Sequence, residues 1–122
     1  MHDAPSQKEM IAAVKAFIDE TAMPALQGHA AFHARVASNV LATVLRELDI
    51  RPDAEAAERQ RLAELMDADP SRSAEDLNAQ LCDMLRRGDL DLHTPGLLEH
   101  LKTTTIAQLS VDQPGYSGMP SD

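Results

Sequence analysis

Apolar residues in this chain return every third or fourth position, and nowhere do they alternate with a two-residue period over four or more residues. That spacing belongs to helices with one buried stripe, so the chain is expected to be all-α and strand-free. Aromatic residues make up only 2%, namely Phe17, Phe32 and Tyr116. The core must therefore be aliphatic, which suits helix-on-helix packing. A length of 122 residues fits one domain, 1–122, with a real core and no need of staples.

Five helices are expected, arranged as a bundle with an ordered helical part of about 6–111 and a tail over 112–122. Ser6 followed by Glu9 reads as a capping box opening the first helix, whose stripe is Met10, Ile11, Val14, Phe17 and Ile18. Pro24 should end it near Met23. The second helix should run from Gln27 or Gly28 to about Leu48, with Phe32, Val36, Val40, Val44 and Leu48 facing the core, Leu41 and Leu45 widening that band, and Arg35, Asn39, Ala42 and Arg46 opposite. "DIRPD" reads as a turn, with Pro52 opening a third, charged and peripheral helix over Asp53–Met66. After the loop "DADPSRS", Ser73 caps a fourth helix that buries Leu77, Leu81, Met84 and Leu85, and Gly88 stops it. Thr94 and Pro95 should open the fifth, with Leu97, Leu98, Leu101, Thr105 and Leu109 inward, and Pro114–Gly115 closes it.

Charge and cysteine content exclude several function classes. The net charge of −9 repels nucleic-acid phosphates and anionic lipid, and few aromatics are present to stack on bases. A single cysteine, Cys82, excludes an internal disulfide and a cysteine-based zinc site, and beside Leu81 and Leu85 it reads as a small core residue. No apolar run reaches the ~18 residues of a membrane span, and "MHDAPSQKEM" lacks the basic start and apolar middle of a signal peptide. A cytoplasmic location is expected.

His29 and His33, four apart on one helix face, are the strongest chemical pattern. That spacing lets two imidazoles reach one metal ion. A zinc or iron site wants two further ligands, and neither a Glu-x-x-His nor a His-Glu-x-x-His motif supplies them. The pair is read as core or rim residues, with a metal- or small-ligand-binding bundle around them as the alternative. A histidine phosphotransfer domain is a further alternative, but such domains carry a lysine and a glycine behind the histidine. Val36 and Ala37 stand there instead. His100 should face outward, and "HLK" has no following glycine either. No Gly-x-Ser-x-Gly elbow or phosphate loop occurs. "TTT" at Thr103–Thr105 falls mid-helix, where threonine hydroxyls bond the preceding turn. No catalytic residue and no cofactor is assigned.

Together, "FHARVASNVLATVLREL", "LCDMLRRGDLDL" and "LLEHLKTTTIAQLSVDQPGYSG" resemble a bacterial helical domain family of unknown function. That family occurs as a short stand-alone protein or attached to aminoglycoside-phosphotransferase-like kinases, often near acyl-CoA dehydrogenases. The resemblance implies an accessory or protein-interaction domain partnering a kinase-like or acyl-CoA-handling protein, since the kinase's own motifs are absent here.

With so few aromatics, part of the apolar band around Phe32, Val36 and the fifth-helix leucines is expected to stay open in the monomer. An open apolar patch points to self-association, most simply as a two-fold dimer. Tyr116, in the Pro-Gly turn of the tail, is expected to close that interface or to cover the same patch within its own chain.

Overall fold

A computed structural model describes residues 3–121. Met1, His2 and Asp122 lie outside them. The described residues form four helices and no strand. The first, α1, comprises Gln7–Phe17, one π-helical turn over Ile18–Ala22, and Met23–Ala25 in unbroken succession. The others are α2 (Gly28–Met66), α3 (Ala74–Arg87) and α4 (Leu97–Asp112).

Local chemistry sets most of the helix ends. The Ser6 hydroxyl accepts from the Glu9 amide at 3.2 Å, and the Glu9 carboxylate accepts from the Ser6 amide at 2.6 Å. This capping box satisfies two otherwise orphaned amides. Pro24 does not end α1 at Met23. It is carried within the last turn of the continuous α1, and the chain leaves the helix at Leu26, whose backbone is extended. Ser73 caps α3 through the Asp76 amide at 3.1 Å, and Gly88, at φ 78°, supplies the left-handed stop after Arg86 and Arg87. Thr94 does not cap α4; Gly96 takes that position at φ 87°. The Thr94 hydroxyl instead accepts from the Asp91 amide at 2.9 Å, closing the turn ahead of the helix.

Two expected helices are one. α2 passes through "DIRPD" without stopping, with Pro52 inside it. Proline removes one amide and crowds the carbonyl four residues back, a cost of about 3 kcal/mol in a helix interior. Its fixed φ is nevertheless compatible with a helix, and Pro52 itself is exposed. Strong helix formers on both sides hold the register, and Arg51 pairs with Glu55 across the proline at 3.6 Å.

The chain divides between Asp49 and Ile50 into two compact units, the boundary falling within α2. The C-terminal unit holds a leucine core. Leu62 and Met66 of α2, Leu77 and Leu81 of α3, Leu90 of the following loop and Leu97 of α4 form one buried cluster. The segment expected to be peripheral thus supplies the centre of this core. Its apolar stripe is narrow, but α3 and α4 bring leucines against it from their own sides.

The N-terminal unit is an antiparallel helix pair of different character. Lys8 of α1 meets Asp49 of α2 at 2.6 Å, and further along Ser38 of α2 donates to Asp19 of α1. Half-buried Ile11, Ile18, Leu41 and Leu45 accompany these polar contacts. Among the described residues of this unit, Ser38 alone is fully buried, and no apolar side chain is.

Candidate functional site

In its first half, α2 does not turn toward α1 the face its apolar content predicts. Ala31, Ala34 and Ser38 are less exposed there than Phe32, Val36 and Val40. Leu41 and Leu45 of the expected band are half-buried, as is every residue from 41 to 48. Ser38 marks the inward direction through its bond to Asp19. Val36 and Val40 lie two residues to either side of it and so point about 160° away. They are 43% and 56% exposed, and Phe32 on the same side is 58% exposed. The first half of the expected core stripe therefore lies outward, while Val44 and Leu48 are half-buried. The small Ser38 side chain supplies the hydroxyl that reaches Asp19, which a valine at 38 would lack.

Asp19 is the polar hinge of that contact. The Lys15 ammonium at 2.6 Å holds its carboxyl below the usual carboxylate range, and the Ser38 hydroxyl adds to the effect. On the other helix of the pair, Met10, Val14 and Phe17 form a second exposed apolar stripe.

His29 and His33 are both exposed, on the same outer side as Phe32 and Val36, rather than facing the core or a groove. Phe32 meets the His33 ring edge-on, with centroids 5.6 Å apart. Among the described residues no group of three or more His, Cys, Asp or Glu is gathered as a metal site would require. The pair offers two imidazoles to solvent and nothing beside them to complete a coordination shell. Nor does a lysine stand where a phosphorylated His33 would want one, since Val36 and Ala37 occupy those positions.

α4 is rotated in the same sense as α2. Leu97, His100 and Val111 are buried, while Leu98 and Leu101, expected inward, are exposed. His100, expected outward, is only 3% exposed, and its Nδ1 has no hydrogen-bond partner. Burial pushes its pKa down, the nearby Arg61 guanidinium pushes the same way, and Glu58 opposes them. Arg61 reaches Thr104 at 3.2 Å, and Glu58 accepts from Asn78 at 2.9 Å. These contacts tie α2 to α4 and α3. The cluster is a polar network that joins these helices around the buried His100.

The remaining candidates are less organised. Cys82, expected in the core, is exposed. An open cleft of about 470 Å³ beside Arg59, Gln60, Glu64 and Asp67 mixes both signs of charge. Tyr116 is 49% exposed and does not anchor the tail in a buried site. Its amide donates to Gln113, and its ring lies over Gly118, where an added Cβ would come within 2.5 Å of Cε1.

No helix among the described residues is long and apolar enough to cross a membrane. A family model described as "Domain of unknown function (DUF6285)" matches residues 24–116. No curated protein and no solved structure matches the chain.

Proposed function

The chain belongs to the DUF6285 family, and we propose that it is a non-enzymatic interaction domain. The observation that carries this reading is the N-terminal helix pair. It buries Ser38 between its helices and presents Phe32, Val36 and Val40 on one of them, and Met10, Val14 and Phe17 on the other, to solvent. Scattered exposed apolar residues are normal, but aligned stripes rimmed by polar residues mark interfaces. The resemblance to domains attached to aminoglycoside-phosphotransferase-like kinases, and found near acyl-CoA dehydrogenases, supports a partner of one of those two kinds. The exposed His29 and His33 support metal or small-ligand binding less well, because two ligands are too few.

Affinity capture from the native host tests the reading. The full chain is expected to retain a kinase-like or acyl-CoA dehydrogenase-like protein, and a Val14→Asp, Phe17→Asp variant of equal helicity to lose it. Capture of neither class, or equal capture by the variant, would remove this partner assignment.

A further inference from the structure

We propose that the outer face of α2 around Phe32, Val36 and Val40 is covered by the same face of a second copy of this chain. The two α2 helices pack antiparallel about a two-fold axis. The proposal rests on reading the exposed stripes as docking surfaces and assigns one of them its occupant.

Spacing is the first support. His29, His33, Val36 and Val40 follow one another at intervals of four, three and four, with Phe32 beside them. That is the interval of a helix–helix seam. All five residues are exposed, and they point away from the side of α2 that Ser38 fastens to α1. The partner of this seam is therefore not α1.

Charge narrows the choice of occupant. The chain carries 20 acidic residues and a net charge of −9, yet no acidic side chain lies between Glu20 and Glu47. Arg35 and Arg46 are the only formal charges in that interval with histidine neutral. On most of the surface a second copy would set carboxylate against carboxylate, at a cost in self-repulsion. Along this face it meets no carboxylate. Two arginines, with no acidic or basic cluster around them, make no patch for a strongly charged partner. An uncharged seam is complementary to itself, as an isologous contact requires.

The direction follows from the order of residues along the seam. An antiparallel pair centred between His33 and Val36 sets His33 against Val36 of the second copy, and His29 against Val40. A parallel pair would stack imidazole on imidazole. Three turns of helix against three turns bury roughly 1,000 Å² in total, at the threshold for a specific contact. The dimer is accordingly weak and reversible, with dissociation in the micromolar range or above.

Sedimentation velocity on the full chain from about 1 µM to about 500 µM tests this. The wild type is expected to pass from monomer to dimer over that range. Val36→Glu and Val40→Glu, at exposed positions that leave the fold intact by circular dichroism, should stay monomeric throughout. His33→Val, which replaces a polar seam residue by an apolar one, should tighten the dimer several-fold and so separates a seam contact from a general solubility effect. A wild type that remains monomeric at the highest concentration overturns the proposal, as does a dimer indifferent to both glutamates. Either result leaves capture through the Met10–Val14–Phe17 stripe untouched. A concentration-dependent dimer with no captured partner would uphold this proposal and defeat only the partner reading.

Discussion

Ser38 of α2 donates its hydroxyl proton to Asp19 of α1 from a site that is 4% exposed. The contact sets the rotation of α2 in the N-terminal unit, because Ser38 is that unit's one fully buried side chain among the described residues. Ser38→Ala removes the donor and is expected to lower stability by about 1 kcal/mol, the usual net worth of one hydrogen bond. Asn39→Ala, at the exposed neighbouring position, should fall within about 0.5 kcal/mol of wild type. Denaturant titration of both variants checks the pair, and equal values would mean that the contact orients nothing.

His100 predicts a pH dependence with a definite sign. Its pKa is lowered in the fold by burial and by Arg61, from an ordinary 6.5. The unfolded chain therefore binds more protons between those two values, and folding loses stability as pH falls through 6.5 toward the lowered value. Above 6.5 the contribution is complete. Melting temperature is expected to drop between about pH 7 and pH 5, and the drop should shrink in His100→Leu. Identical pH profiles for the two proteins would show that His100 does not carry the effect.

Val40 and Leu62 should behave oppositely although both are aliphatic residues of α2. Leu62 is wholly buried among Leu77, Leu81 and Leu97, so Leu62→Ala should cost about 2–5 kcal/mol. Val40 is more than half exposed, and Val40→Asp should cost under about 1 kcal/mol when measured on dilute monomer. Thermal melts at low concentration decide the matter. Unfolding of Val40→Asp would mean that this side of α2 faces inward.

Gly88 ends α3 at φ 78° with open space where a Cβ would stand. Gly88→Ala is therefore penalised by backbone conformation alone, at about 1 kcal/mol. Gly115→Ala, with equal room and no left-handed φ, should be nearly neutral. The difference between the two denaturation midpoints isolates the helix stop from packing.

Metal analysis bears on His29 and His33. With two imidazoles and no third ligand gathered beside them, the purified chain is expected to carry no stoichiometric zinc, iron or manganese. About one metal per chain, lost in His29→Ala, would establish the ligand site instead.

What the sequence determined by itself was the helical class and several of the helix ends, though not the start of α4, where Gly96 and not Thr94 is the cap. Helical periodicity specified the all-α class, Ser6 with Glu9 and Ser73 with Asp76 specified two helix starts, and Gly88 specified a stop, because each depends on residues within one turn. Most of the leucine face of α3 was readable for the same reason, since Leu77 and Leu81 stand against polar neighbours and are buried with Met84 packed beside them. Leu85, expected inward with them, is 38% exposed. α2 and α4 carry competing stripes. In the first half of α2 the large residues Phe32, Val36 and Val40 outweigh Ala34 and Ser38 in apolar surface, yet Ser38 is the buried one, since its bond to Asp19 of α1 is made there. Leu41 and Leu45 of the expected band are half-buried. In α4 Leu97, Leu98 and Leu101 all read as inward, but only Leu97 joins the α2–α3 leucines, while His100 is buried and Leu98 and Leu101 are left exposed. Pro52 reads locally as a break, but its exposed position in α2 let the helix run on. Helix rotation and helix continuity depend on what lies across the contact, and that partner surface is absent from any local window. Only tertiary packing could decide that Phe32, Val36 and Val40 of α2 are exposed while Ser38 is buried.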